Sequence, residues 1–215
     1  MKESTSKEKV LKKIRDALVN HMPPPYEDVD MESSVMYVPE ANRLDEAFAA
    51  SFSASHGKFI FCSDVSELTE GLAAIMQRHD IQKLYCNEDF LKELLIELSI
   101  PFVSDKEEVA HSDAAITGCE ALIARHGNIM LSSAQGVSRK AFVMPPVHII
   151  VAGTHQLTPD LKGAYHVIKE KYEGKLPSLI TFVGGPSRTA DIEKTLVYGV
   201  HGPKEVYLFL LDLMG

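Results

Sequence analysis

Val147-His148-Ile149-Ile150-Val151-Ala152 is a short β-branched, apolar run, and the residues after it decide the fold. Thr158 is an N-cap residue type, with Pro159 at the first helical position and Asp160 in the first turn, so the pattern predicts a helix to about Tyr172. Ser178 to Val183 then returns to an apolar, β-rich run. Strand, helix and strand at these lengths make a βαβ unit, whose two strands run parallel in one sheet.

The same alternation extends outward in both directions. Leu44 to Ser53 predicts a helix, Lys58 to Cys62 a buried strand and Val65 to Arg78 an amphipathic helix. Lys83 to Cys86, Pro101 to Val103, Asp113 to Thr117 and Ile129 to Ser132 read as strands, with Asp89 to Leu98 a helix between the first two. Glu205 to Asp212 closes the series as a strand. The expected architecture is therefore α/β, a mostly parallel sheet with helices on both faces. Ahead of it, Val10, Leu11, Ile14 and Leu18 place an apolar stripe on a helix over Ser4 to Asn20. Pro23, Pro24 and Pro25 stop that helix, so residues 1–22 are expected as an amphipathic appendage and 23–215 as a single domain.

Composition narrows the function classes. The chain has 215 residues and a formal net charge of −8, which disfavours a nucleic-acid partner, since phosphate-backbone binding needs a basic footprint. The first helix is the basic exception, with Lys2, Lys7, Lys9, Lys12, Lys13 and Arg15 against Glu3, Glu8 and Asp16. It reads as a solvated amphipathic face, or else as a docking arm for an acidic partner. No run approaches the ~18 apolar residues of a spanning helix, and the N-terminus lacks the apolar core of a signal peptide. The expectation is a cytoplasmic protein with no membrane span. Cys62, Cys86 and Cys119 form no C-x-x-C pair, and the histidines form no H-E-x-x-H, so neither a metal nor a cofactor is expected in this chain.

In parallel sheets ligands sit beyond the carboxyl ends of the strands, which directs attention to the loops there. After Val183 comes Gly184-Gly185-Pro186-Ser187-Arg188-Thr189-Ala190-Asp191. The glycines permit a tight turn, and Ser187 or Thr189 would cap a following helix. Arg188 at such a helix start opposes the macrodipole unless an anion lies between them. That anion is either Asp191 or Glu193 of the chain itself, or a bound carboxylate or phosphate. Gly118 and Gly127 read as sharp turns flanking a short helical segment, with Glu120 a candidate general base and Cys119 a candidate thiolate. Structural roles compete for both, as a first-turn helix acid and a small buried hydrophobe. Ser132 to Lys140 offers hydroxyls, an amide and two cations, and His201 in a Gly-Pro turn is a candidate proton shuttle.

Several of these stretches resemble one family. Gly184-Gly185-Pro186-Ser187-Arg188-Thr189-Ala190-Asp191-Ile192-Glu193, with Gly199-Val200-His201-Gly202-Pro203, is similar to the C-terminal motif of the LUD-domain, lactate-utilization protein C family. Ile14-Arg15-Asp16-Ala17-Leu18, Ile116-Thr117-Gly118-Cys119 and Pro145-Pro146-Val147-His148-Ile149-Ile150-Val151 resemble it too. The resemblance implies a fold like that of ribose-5-phosphate isomerase, glucosamine-6-phosphate deaminase and the CoA transferases. It also implies a role in oxidising L-lactate to pyruvate beside partner proteins that carry iron–sulfur clusters. One segment departs from the family: many relatives have Ala-Glu-Thr-Gly-Thr where this chain has Ala124-Arg125-His126-Gly127-Asn128. The expected ligand set is Gly184, Gly185, Ser187, Arg188, Thr189, Asp191, Gly118 and Gly127, with Glu120 and His201 as catalytic candidates. The expected ligand is a small carboxylate or phosphate. A stand-alone isomerase- or CoA-transferase-like enzyme is the competing function.

Overall fold

A computed structural model describes residues 5–19, 43–192 and 195–212. The chain divides into two compact units, Met1–Tyr37 and Val38–Gly215. In the first, Ser6–Val19 forms α1. Thr5 and Glu8 cap it reciprocally: Glu8 N–H donates to Thr5 Oγ1 at 3.3 Å, and Thr5 N–H to Glu8 Oε2 at 2.8 Å.

The second unit is built on five parallel strands, β1 (Lys58–Cys62), β2 (Leu84–Tyr85), β3 (Ala114–Thr117), β6 (Val147–Gly153) and β11 (Glu205–Leu211). They lie in the order β1-β11-β6-β3-β2. All seven residues of β6 are buried, as a central strand paired on both edges requires. One face of this sheet packs against α3 (Val65–Arg78) and α4 (Asp89–Glu97), through Leu68, Leu72, Ile75, Leu91 and Leu95. Leu68, Leu72 and Ile75 are spaced four and three apart, so they fall on one helical stripe.

The other face meets Phe48 and Phe52 of α2 (Leu44–Ala54) and a second sheet. That sheet holds β4 (Ala121–Ile123), β5 (Asn128–Ser132), β7 (Leu157–Thr158) and β8 (Ile180–Val183), in the order β7-β4-β5-β8. The strands at 129–132 and 178–183 thus leave the main sheet, because β5 pairs antiparallel with both β4 and β8. The helix α5 (Leu161–Lys171) covers this smaller sheet through Ala164 and Ile168. A hairpin of β9 (Arg188–Ile192) and β10 (Thr195–Tyr198) completes the described elements.

Two local expectations are corrected. The cap of α5 is Asp160, whose Oδ1 accepts from Gly163 N–H at 2.8 Å, while Thr158 ends β7 and gives its hydroxyl to Leu122 O. Both are cap residue types two positions apart, and pairing of β7 with β4 decides between them. Asp160→Ala is expected to cost about 1 kcal/mol in a urea melt; Thr158→Ala, if it proves the more costly at the helix start by local hydrogen exchange, would reverse the assignment. The segment between Gly118 and Gly127 is the strand β4 with its turn, so Glu120 is not a first-turn helix acid.

At the amino edge of the main sheet, Glu205 of β11 gathers Lys58, Tyr207 and His79. Its Oε2 takes an ion pair from Lys58, a hydrogen bond from Tyr207 Oη at 2.6 Å and a contact with His79 Nε2 at 3.1 Å. This network ties two neighbouring strands and the end of α3 together, at the edge opposite the one where ligands bind in such sheets.

Candidate functional site

At the carboxyl edge, the chain after β2 turns at Glu88 into α4. The Glu88 side chain does not cap its own helix; it turns toward the end of β3, where Oε1 accepts the Gly118 N–H at 2.8 Å. A Cβ on Gly118 would lie 2.9 Å from Glu88 Oε2 and 3.0 Å from the Phe90 ring, so only glycine lets the carboxylate sit this close. Glu88 is 8% exposed. Burial pushes its pKa up to about 7, against the Gly118 amide, the Gln135 side chain and Lys171, and with the help of the Glu120 charge.

Glu120 lies just ahead of β4, and its side chain is wholly buried. Its carboxylate is held on both oxygens. Oε1 accepts from Ser132 Oγ at 2.5 Å and Tyr172 Oη at 2.8 Å, and Oε2 from Lys171 Nζ at 2.7 Å. Burial works against the Lys171 ammonium, but the Glu120 hydrogen bond and charge outweigh it and hold the lysine above its ordinary range. Tyr172 is raised as well, by burial and then by Glu120. Glu120 is thus a committed ion-pair acceptor, and Glu88 is the carboxyl free to exchange a proton near neutrality.

These groups border one cavity of about 810 Å³ where β3, β6 and β11 end. Val65, Leu94, Val151 and Leu211 supply apolar wall, and Glu88, Gln135, Gln156, His155, Lys171 and Tyr172 the polar groups. The two glutamines are pinned by their oxygens. Gln135 Oε1 accepts the Ser132 N–H at 2.6 Å, and Gln156 Oε1 the Gly153 N–H at 2.9 Å. Gln156 Nε2 then donates to Cys119 O at 2.6 Å, joining the ends of β6 and β3. Gln135 Nε2 is buried with no well-formed hydrogen bond, close enough to Glu88 to favour the carboxylate charge. A few convergent polar groups on apolar walls, Glu88, Lys171 and Tyr172 among them with shifted pKa values, describe a small-molecule site.

The residues expected from sequence separate into two places. Gly118 and Glu120 do not line this cavity themselves but are hydrogen-bonded to residues that do, Gly118 to Glu88 and Glu120 to Lys171 and Tyr172. Gly184, Gly185, Ser187 and His201 come together with Arg139 around a second cavity of about 450 Å³. The helix expected after Ser187 is absent, since the chain enters β9 instead. The Ser187 N–H already donates to Pro203 O at 2.8 Å, and its carbonyl accepts from Gly199 N–H at 2.9 Å. Arg188 is exposed on β9 beside Tyr198, so there is no macrodipole for it to oppose. Thr189 follows it on that strand, as does the backbone of Asp191; the Asp191 side chain and Glu193 lie outside the described residues. Gly127 has φ +60° and packs on the backbone of α2, which makes it a packing position. Cys119 is buried among carboxylates, and burial first of all drives its thiol far above the ordinary range, which removes it as a thiolate.

Sequence reading missed Glu88, Lys171, Tyr172 and Gln156. For Glu88 the signal was present: it follows a predicted strand directly, the same position that drew attention to the later loops. Gln135 lies inside the Ser132–Lys140 loop, a stretch already rich in polar groups. Lys171 and Tyr172 end a helix and reach Glu120 only through the tertiary fold.

Comparison with known proteins places the chain among relatives. Residues 101–211 match the LUD domain. A lactate utilization protein C from Shouchella clausii is 28% identical over 175 residues, 80% of this chain and 71% of that protein. One from Bacillus subtilis is 30% identical over 109 residues, covering 49% of this chain and 45% of its own length, so that match spans less than half of either protein. Among solved structures, a DUF162 family protein from Deinococcus radiodurans aligns with a TM-score of 0.59 at 17% identity, over 79% of this chain and 96% of that one. It shares the α/β fold.

Proposed function

Because the chain belongs to the LUD domain family, we propose that it acts in lactate utilization, as a component of an L-lactate-oxidising system whose iron–sulfur clusters sit on partner proteins. The observation that carries a ligand-handling role is the preformed cavity at the carboxyl edge of the sheet, lined by the buried Glu88 and by Lys171, whose ion pair with Glu120 holds it in place. Its ligand is a small carboxylate. The cysteine pattern fits clusters held elsewhere, since Cys62, Cys86 and Cys119 form no C-x-x-C run.

Deleting the gene is expected to abolish growth on L-lactate and leave growth on glucose intact. Affinity capture from lactate-grown cells is expected to recover iron–sulfur proteins. Normal growth of the deletion strain on lactate would overturn the proposed role.

A second reading, a stand-alone isomerase-like enzyme on a small phosphorylated or carboxylated substrate, is favoured by one observation. A carboxyl that titrates at about 7 inside a cavity is suited to general acid–base work. Turnover of such a substrate by the purified chain alone, lost in Glu88→Gln, would select this reading over the assisting subunit.

A further inference from the structure

The polar groups of the sheet-end cavity offer a defined set of hydrogen-bond roles. Glu88 gives Oε1 to Gly118 and leaves Oε2 outside that bond. Gln135 has its oxygen committed to Ser132, and its buried Nε2 reaches toward Glu88 without a well-formed bond, so a ligand oxygen would sit between the two. An acceptor oxygen and an amide donor thus stand together at the cavity wall. Lys171 spends one N–H on Glu120 and has others to give, since an ammonium carries three donors.

A ligand hydroxyl fits the first pair, because it donates to the Glu88 carboxylate and accepts from Gln135. A ligand carbonyl only accepts, so it fits the same place when Glu88 is the neutral acid and donates as well. An anionic group on the adjoining carbon has the Lys171 ammonium to meet. Val151 and Leu211 face an alkyl substituent.

From this arrangement, resting on the lactate-utilization reading above, we propose that the cavity distinguishes the two oxidation states of one small acid. It holds a 2-hydroxy acid when Glu88 is ionised and the corresponding 2-oxo acid when Glu88 is protonated, with Lys171 on the ligand carboxylate in both. No bond in the ligand is made or broken; the proton on Glu88 is exchanged with water. Burial places the exchange near neutrality, so ordinary changes of pH reset the preference.

The other titratable groups facing Glu88 are Cys86 from the segment after β2, Glu120 and Cys119 from the β3–β4 segment and Lys171 at the end of α5. His155 lines the cavity after β6. Glu93 and Glu97 of α4 stand exposed at its rim, where solvent screens them, and they oppose an anion only weakly. Glu120 is already paired with Lys171, and Glu88→Gln tests whether the pH response belongs to Glu88.

The test is calorimetric titration of the full chain with L-lactate, pyruvate and propionate, each to ~20 mM because so few ligand atoms bind weakly. The lactate-to-pyruvate affinity ratio is expected to rise about tenfold or more from about pH 6 to about pH 8, the effect of mismatching one buried hydrogen bond. Propionate, with no oxygen on its second carbon, is expected to bind weakest at both. Glu88→Gln is expected to flatten the ratio, and Lys171→Met to weaken all three acids together. A wild-type ratio that does not change with pH, or silence toward both oxygenated acids, overturns the proposal without reliance on any variant. A pH response that survives in folded Glu88→Gln overturns it too, by moving the switch away from Glu88. Should binding fail while the deletion strain still cannot grow on lactate, this inference falls and the lactate-utilization reading stands; normal growth with binding intact gives the reverse.

Discussion

Alanine at Gly127 is expected to lower stability by about 3 kcal/mol or more. Two costs combine. At φ +60° an L-residue pays roughly 1 kcal/mol for the left-handed conformation. The added Cβ would also lie 2.2 Å from Phe52 N and 2.5 Å from Ser51 C. These are backbone atoms of α2, which cannot turn aside as a flexible side chain would. Relief requires the helix to move, and Phe48 and Phe52 with it, out of the core they fill. Gly174 provides the control, with φ +78° and nothing within 4 Å of its would-be Cβ. Gly174→Ala is expected to cost only the conformational part. Equal urea midpoints for the two variants would show that the contact with α2 is not what demands glycine at 127.

The second large effect is a dependence of stability on pH that one residue controls. The Glu88 carboxyl ordinarily titrates at 4.5, and in the folded protein it holds its proton up to about 7. Between those values the folded state binds more protons than the unfolded one. Stability from this group is therefore complete below 4.5 and is lost as pH rises through about 7. A shift of this size corresponds to about 3 kcal/mol. Glutamine keeps the acceptor for the Gly118 amide and carries no charge, so Glu88→Gln is expected to be more stable than wild type by up to about that amount at pH 8 and equal to it near pH 4. Glu205 and Asp45, held below the usual carboxylate range, act in the opposite sense at lower pH. Both proteins share them, so the difference between the two curves isolates Glu88. Parallel curves from pH 4 to 8 would mean that Glu88 is ionised throughout and exposed to solvent.

Both effects bear on what could be read before any coordinates. The bounds of Lys58–Cys62 and Val65–Arg78 were legible to the residue, but β1 is an edge strand in which only Cys62 is buried, not the buried strand its apolar run suggests, because it pairs on one side alone. Ala121-Leu122-Ile123 is too short to show a period, and only its pairing with β5 makes it a strand. Glu120 was misplaced on a helix for that reason, though it was singled out as a carboxylate. Gly127 was legible as a turn, but the helix that presses on it comes from 75 residues earlier in the chain. Arg188 looked anomalous only against a helix that does not form; Thr189, Ile192, Val197 and Tyr198 are β-favouring types and pair as a hairpin. Glu88 needed no new rule, only attention to the loop after β2 as well as to the later ones. Lys171 and Tyr172 could not be placed, since their partner stands 51 and 52 residues away.

The position of β11 between β1 and β6 has a consequence for biosynthesis. Lys58 of β1 waits through 147 residues of translation before its neighbour Glu205 emerges. Until then β1 has no lateral partner in the sheet, and β6 shows a bare, strongly apolar flank. The nascent chain therefore carries two unzipped seams at once, and both close with the arrival of a single heptapeptide. That makes the interval before those seven residues emerge the time when chaperone capture, or mispairing with a neighbouring chain on the same message, is most favoured.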